Sequence, residues 1–166
     1  SRLLDNGDFE EATESVPNAW TISFSSGEDG TYGYTAKTDQ WAKNNKTQML
    51  NLWNNSTSQA AEVVISQTVA KASAGRYYLS FGLEGVAAQT DMKVKINDTE
   101  LAFPATTGWD EWQTVATQVF TLTEETELTI EFSGAVNAGY WMDLDDVVLH
   151  QEAVEEIPDP VAAQIY

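Results

Sequence analysis

Hydrophobic and polar positions alternate along most of the chain with a period of two residues, which is the period of a half-buried β-strand. The segment DMKVKIND (91–98) sets Met92, Val94 and Ile96 against two lysines, and GRYYLSFGLEG (75–85) alternates in the same way. No segment of ten or more residues shows the spacing of an amphipathic helix. Further strands are predicted over residues 18–26, 31–37, 62–69, 112–123, 126–134 and 143–151.

Turn signals such as SAG, IND and TEE separate these segments. About eight to ten short strands at this spacing predict an all-β fold, an antiparallel β-sandwich. Periodicity does not distinguish a double-sheet jelly roll from a closed barrel.

The stretch MLNLWNNST (49–57) raises the first functional question. Alternation puts Leu50 and Leu52 on one side of a strand and Asn51 and Trp53 on the other. If the leucines face the core, a large aromatic ring and an amide lie together on an exposed face. The flat C–H face of a sugar stacks on an aromatic ring, and its hydroxyls need hydrogen-bond partners such as amides and carboxylates. This combination therefore predicts a carbohydrate site.

Other aromatic residues suit the same role. The chain has six tryptophans and six tyrosines. Trp20 and Trp112 open strand patterns and are predicted to be core residues. Trp41 lies in the polar segment KTDQWAKNNK, and Trp141 lies in AGYWMD close to carboxylates. Each is a candidate for stacking on a sugar, and packing in the core is the alternative. The predicted ligand-binding residues are Trp53, Trp41, Trp141, Asn51, Asn54, Tyr32, Tyr34 and Asp143.

The charge of the chain narrows the range of ligands. There are 26 acidic and 8 basic residues, giving a net charge of −18. This charge disfavours nucleic acid, anionic membrane surfaces and acidic polysaccharides, and it permits neutral glycans and divalent cations. No apolar run approaches the roughly 20 residues of a membrane-spanning helix, so no membrane insertion is expected.

Catalytic motifs do not stand out. His150 is the single histidine and cysteine is absent, so thiolate chemistry and multi-histidine zinc sites are excluded. The patterns G-x-S-x-G and H-E-x-x-H do not occur. A glycosidase needs only two carboxylates, but no acid in DLDD (143–146) is isolated in an apolar segment that would raise its pKa. A non-enzymatic role is expected.

Two acidic segments, DNGDFEE (5–11) and DLDD (143–146), lie at opposite ends of the predicted sandwich. First and last strands of a sandwich often lie side by side, which would bring Asp8 or Glu10 near Asp145 or Asp146. Facing carboxylates repel unless a hard cation such as calcium lies between them. A solvated acidic edge is the alternative.

The end of the chain has a different character. EAVEEIPDPVAAQIY (152–166) carries four acids and two prolines and does not alternate. Residues 1–151 are therefore predicted to form the sandwich domain, and residues 152–166 a linker to a further domain.

Several segments together resemble bacterial carbohydrate-binding modules. LLDNGDFEE resembles their opening segment, LNLW, EVVISQTV and GRYYLSFGLEG their middle strands, and TTGWDEWQTV and AGYWMDLDDVVL their closing half. The resemblance covers nearly all of residues 3–149. It is strongest to family 61, whose modules are attached to bacterial family 53 endo-β-1,4-galactanases.

This resemblance implies a galactose-binding-domain-like jelly roll with a structural Ca²⁺. Its ligands would map to Asp8, Glu10, Asp146 and a main-chain carbonyl near Lys46, and the glycan face to the sheet carrying Asn51 and Trp53. It also implies a secreted or cell-surface bacterial protein in which the module directs a tethered glycoside hydrolase to a neutral plant polysaccharide, with β-1,4-galactan favoured. The alternatives are starch or another neutral glycan, or a calcium-stabilised structural or adhesive spacer without a sugar site.

Overall fold

The computed structural model describes residues 3–14, 16–25, 33–38, 48–85, 92–102 and 112–152. These residues form strands, turns and bends and no helix, so none of them builds a helix that could cross a membrane. Their strands are β1 (Ala12–Thr13), β2 (Val16–Pro17), β3 (Thr21–Ser25), β4 (Gly33–Thr38), β5 (Gln48–Trp53), β6 (Ala61–Ala72), β7 (Gly75–Glu84), β8 (Lys93–Ile96), β9 (Thr99–Leu101), β10 (Gln113–Ala116), β11 (Phe120–Leu122), β12 (Thr126–Val136) and β13 (Trp141–Gln151).

Two antiparallel sheets carry the fold. The six-stranded sheet has the order β10-β7-β13-β5-β4, with β11 also paired to β7, and the five-stranded sheet has the order β3-β6-β12-β8-β9. β1 and β2 form a separate short pair. Every pairing among these strands is antiparallel, and the prediction of an all-β antiparallel sandwich is confirmed.

The core lies between the two sheets and follows the alternation of the sequence. Phe81 of β7 meets Phe132 of β12 edge-to-face at 5.0 Å between ring centroids, which joins the two layers. One face of each strand is buried: Tyr77, Leu79, Phe81 and Leu83 in β7, Val94 and Ile96 in β8, Leu128, Ile130 and Phe132 in β12.

The predicted turns and strand ends are largely in place. The IND turn connects β8 to β9, and Asn97 and Asp98 have φ angles of 46° and 70°, the left-handed conformations of a two-residue hairpin turn. The predicted strand 112–123 is divided into β10 and β11. The division falls where Thr117 donates its N–H to the carbonyl of Leu79 and also accepts from the Leu79 N–H through Oγ1.

Trp20 is a core residue, as predicted. Its ring packs on Phe9 at 5.4 Å between centroids, and its Nε1 donates to the carbonyl of Asn6 at 2.9 Å. Trp20 thereby anchors the opening segment of the chain against the sandwich.

The opening segment also contacts the last strand, as the sequence predicted for the two ends of the domain. Val147 of β13 donates its N–H to the carbonyl of Gly7 at 2.8 Å. This contact lies at a bulge where the pairing of β13 with β7 shifts between Asp145 and Val148, and Asp146 there has a φ of 48°. A Cβ on Gly7 would lie 2.0 Å from the Val147 carbonyl oxygen, so this close approach requires glycine.

Candidate functional site

The two faces of β5 differ in the way the sequence predicted. Leu50 and Leu52 belong to the core, and Trp53 has 38% of its surface exposed. Alternation along the strand puts Asn51 and Trp53 together on the outer face of the six-stranded sheet. That sheet face is the side of the sandwich turned away from the core.

β13 lies next to β5 and repeats the arrangement. Met142 and Leu144 are core residues, so Trp141 and Asp143 lie on the outer face. The register pairs Trp141 directly with Trp53 and Asp143 directly with Asn51. Directly opposed positions on one face have Cβ atoms about 4.5–5.5 Å apart, so the two tryptophans form a cross-strand pair. Trp141 is half-buried.

Beside the tryptophan pair lies a buried polar pair. Asn51 Nδ2 donates to Asp143 Oδ1 at 2.5 Å, and the two residues are only 7% and 3% exposed. The sequence predicted an exposed amide at Asn51, and this part of the prediction is wrong. Asn51 is on the predicted face of the strand, but its side chain is buried and hydrogen-bonded to Asp143. The hydrogen bond fixes both side chains in a single orientation.

A second carboxylate lies in the same row. Glu84, the last residue of β7, pairs directly with Asp143 from the other side and is also buried. Two carboxylates opposed on one face repel each other when both are charged, and the pair makes this part of the sheet rich in carboxyl oxygens. We call the surface formed by Trp53, Trp141, Asn51, Asp143 and Glu84 the tryptophan face.

Glu84 was not among the residues predicted for the site. The signal was available, because Glu84 shares the parity of Ser80 and Gly82 and is the one acid on the outward side of β7. Parity assigns a face to a residue but does not reveal which residues of a distant strand lie opposite it. The pairing of Glu84 with Asp143 became visible only from the register.

Trp112 is not a core residue, so its prediction is wrong. It directly precedes Gln113, which pairs with Leu83. The same register, if continued by one residue, would set Trp112 opposite Glu84, and Trp112 is half-buried. In β10 the exposed positions are Thr114 and Ala116, while Val115 is buried. The alternation of this short strand therefore runs opposite to the one that the sequence suggested.

Asn54 is not on the tryptophan face. It is fully buried, its Nδ2 donates to the carbonyls of Gln59 and Val136, and its Oδ1 accepts the N–H of Ser56. The predicted contact of this side chain with a ligand is therefore wrong, because the amide is already engaged with the main chain. Its position directly after Trp53 follows the alternation and points to the interior.

Three of the predicted aromatic candidates have no described side chain. Trp41 and Tyr32 lie outside the described residues. Tyr34 lies in β4 at the position paired with Leu52, and only its backbone is described.

The predicted metal ligands lie where the opening segment meets β13. Asp8 and Asp146 line one cavity of about 610 Å³, together with Gly7 and Val147. The Glu10 carboxylate accepts the N–H of Gln48 through both oxygens, at 3.0 and 3.1 Å.

Asp8 is linked to Glu10, because Asp8 Oδ1 accepts the Glu10 N–H at 3.3 Å. Oxygen donors of this kind suit a hard cation such as calcium. No three Asp, Glu, His or Cys side chains among the described residues lie close enough together to hold a metal ion. Lys46, whose carbonyl was the fourth predicted donor, lies outside the described residues, and the calcium site stays a prediction.

His150 is engaged with its neighbours on the outer face. Its ring stacks on Tyr78 at 4.4 Å between centroids with an interplanar angle of 9°, and its Nε2 lies 2.7 Å from Ser80 Oγ. This arrangement is a packed side-chain stack at the far end of the sheet from the tryptophan pair.

The fold is shared with carbohydrate-binding modules of known structure. TmCBM61, solved in complex with β-1,4-galactotriose, superposes with a TM-score of 0.67 and 21% sequence identity, over 92% of this chain and 99% of that one. A CBM4 structure gives 0.55 and 18%, over 90% and 99%. The xylan-binding domain CBM22-1 of Paenibacillus barcinonensis Xyn10C gives 0.53 and 15%, over 89% and 93%.

No protein-family model and no curated protein sequence matches the chain. At these identities the structural similarity establishes the β-sandwich fold. The fold expected from the resemblance to carbohydrate-binding modules is thereby confirmed, and TmCBM61 is among the structures that share it.

Proposed function

We propose that this chain is a non-catalytic module that binds a neutral polysaccharide on its tryptophan face, with β-1,4-galactan as the ligand. The observation that carries the proposal is the direct pairing of Trp53 with Trp141 beside the Asn51–Asp143 hydrogen bond. The structural similarity to TmCBM61 in complex with β-1,4-galactotriose supports the choice of galactan.

The chemistry of the face suits a neutral sugar chain. The two indole rings offer flat apolar surface for the C–H faces of sugar rings. The carboxyl groups of Asp143 and Glu84, buried in the same face, disfavour an anionic sugar, whose charge would be repelled. Stacking of a planar ligand on an aromatic side chain is worth about 1–3 kcal/mol per ring in the best-calibrated analogy, nucleobase binding.

Preorganisation adds to this. Asn51 and Asp143 are already hydrogen-bonded to each other, so this part of the face is ordered before a sugar arrives and little side-chain entropy is lost on binding. Because the pair is buried, the exposed ring of Trp53 provides the contact surface.

The biological role follows from tethering. A module with modest affinity, joined to a catalytic domain, raises the local concentration of that domain at its substrate. We propose that the parent protein is a glycoside hydrolase, secreted or displayed by a bacterium, and that residues 152–166 form the connection. We also propose a structural Ca²⁺ held by Asp8, Glu10, Asp146 and the carbonyl of Lys46, which would join the opening segment to the bulge of β13.

Affinity electrophoresis against galactan, xylan, glucomannan and starch tests the proposal. Galactan is expected to retard the protein, and Trp53→Ala is expected to weaken the affinity by about five- to a hundredfold, the loss of one stacked ring. The matched control is Val148→Ala, a residue of β13 with 44% exposure, which is expected to leave retardation unchanged.

Two other outcomes would change the proposal. Retardation by starch or another neutral glycan in place of galactan would change the identity of the ligand and keep the proposed site. Failure of every glycan to retard the wild-type protein would overturn the sugar site and favour a structural spacer.

A further inference from the structure

We infer that Asn54 is a positioning residue that holds Trp53 and Trp141 in their paired arrangement without touching the ligand. The inference rests on the proposed function only where it concerns sugar affinity. The geometry of the tryptophan pair itself can be measured without any sugar.

Asn54 closes the β5–β13 ladder at its last pair. The register of β5 with β13 runs from Leu50 opposite Leu144 to Trp53 opposite Trp141, and the strands end there. Directly beyond this pair, the N–H of Asn54 donates to the carbonyl of Tyr140 at 2.9 Å, and the Asn54 carbonyl accepts the N–H of Gly139 at 3.0 Å. These two bonds hold the residue before Trp141 against the residue after Trp53.

The side chain of Asn54 extends this connection to a third element. Its Nδ2 donates to the carbonyl of Val136, the last residue of β12, at 2.9 Å. The turn from β12 into β13 is therefore tied to the end of β5 at its start, through Val136, and at its end, through Gly139 and Tyr140.

The other side of the amide organises the chain after Trp53. Nδ2 also donates to the carbonyl of Gln59 at 2.8 Å, and Oδ1 accepts the N–H of Ser56 at 2.9 Å. Ser56 Oγ in turn accepts the N–H of Gln59 at 3.0 Å. The segment that follows Trp53 is thus folded around the Asn54 side chain, which is fully buried.

The position of Asn54 next to the tryptophan pair gives it a role beyond packing in the interior. Strand ends fray where the ladder stops, because the last pair has neighbours on one side only. Trp53 and Trp141 are that last pair, and a binding pair at a fraying end would lose affinity to the cost of ordering it. The main chain of Asn54 continues the hydrogen bonding one step beyond the tryptophans, and its side-chain amide holds that step in place by bonding Val136, Gln59 and Ser56.

Asn54→Ala tests the inference, with Asn6→Ala as the matched control. Asn6 makes the same set of bonds: its Nδ2 donates to the carbonyls of Glu11 and Asn18, and its Oδ1 accepts the N–H of Glu11. It is also buried, but it lies in the opening segment, away from the tryptophan pair. Both variants lose stability, so a change in melting temperature does not separate them.

The separating signal is the far-ultraviolet circular dichroism couplet of two neighbouring indoles, assigned by its loss in Trp53→Phe. At a temperature where both variants are folded, Asn54→Ala is expected to lose most of this couplet and Asn6→Ala to keep it. Galactotriose affinity should fall about tenfold in Asn54→Ala, consistent with a penalty of the size of one disordered side-chain contact. It should stay at the wild-type value in Asn6→Ala.

A wild-type couplet in folded Asn54→Ala would overturn the positioning role, whatever the sugar affinity. If no sugar binds the wild-type protein, the proposed function fails while the couplet still decides the positioning role. Should Asn54→Ala not fold, Asn54→Asp replaces it, because protonation of the carboxyl restores one donor to this site. Its couplet is then expected to grow as the pH is lowered, relative to wild type, and a couplet equal to wild type at neutral pH would contradict the inference.

Discussion

Two kinds of single residue make up the tryptophan face, and the proposed function gives them different roles. Trp53 offers exposed ring surface, whereas Asn51 and Asp143 are buried and hold each other. Removing an exposed ring costs binding, while removing one member of a buried polar pair costs stability as well. The two kinds of residue are therefore distinguished by measuring affinity and unfolding together.

Asp143→Ala is expected to lower the free energy of unfolding by about 1–3 kcal/mol, because the Asn51 amide is left in the interior without its carboxylate acceptor. Asp143→Asn is the matched variant. It keeps an acceptor oxygen for Asn51 and removes a negative charge opposite Glu84, so its stability should stay close to wild type. Urea unfolding of both variants checks this prediction. Equal stability of Asp143→Ala and wild type would show that the Asn51–Asp143 pair does not contribute to the free energy of unfolding.

At the scale of elements, alternation determined most of what could be predicted. The period of two matches the buried rows of β7 and β8 and separated Leu50 and Leu52 from Trp53. A full row of large apolar side chains on one side of a strand leaves a single stable orientation, since the other would expose all of them. This is why the sandwich was predictable.

The errors arise where alternation gives too little information. Trp112 lies one residue before its strand, where the alternation has no neighbour to confirm it. Asn54 follows the alternation of β5 into the interior, but alternation does not show that its amide is engaged with the main chain. The burial of Asn51 depends on Asp143, which is 92 residues away along the chain. Hydrogen bonds between distant strands leave no trace in local periodicity, so the polar part of the site could not be derived from it.

The contact between the opening segment and β13 is an element-scale prediction of its own. Gly7→Ala places a Cβ 2.0 Å from the Val147 carbonyl oxygen, so the segment must move away from the bulge. The loss of stability should be about 1–3 kcal/mol, or about 2–12 °C in melting temperature for a chain of this size. Gly139→Ala is the comparison, because its Cβ would meet no atom within 4 Å and only its φ of 78° opposes the change. A smaller effect of Gly7→Ala than of Gly139→Ala, measured by calorimetry, would contradict the close packing.

For the whole molecule, the net charge of −18 affects both the stability of the fold and the kinds of ligand that can bind. A chain with this charge repels itself and repels anionic polymers. Neutral glycans are free of this penalty, and a bound divalent cation relieves it locally. The same charge therefore favours both parts of the proposed function.

The calcium proposal predicts that a chelator lowers the melting temperature and that added Ca²⁺ restores it. A ligand at about a hundred times its dissociation constant stabilises the folded state by about 2.7 kcal/mol, or about 5–10 °C here. Asp8→Asn and Asp146→Asn should be insensitive to the chelator, whereas Asp5→Asn, an exposed residue of the same segment, should respond like wild type. Equal melting curves of the wild-type protein with and without chelator would overturn the proposal.

The most direct measurement of the central claim follows the indole N–H signals of the tryptophans by NMR during a titration with β-1,4-galactotriose. Trp20 provides the internal control, because its Nε1 is buried and donates to the carbonyl of Asn6. The signals of Trp53 and Trp141, assigned by phenylalanine substitution, are expected to shift to saturation while that of Trp20 stays in place. Saturation of the protein with sugar without any shift of Trp53 or Trp141, or the absence of binding altogether, would contradict the account.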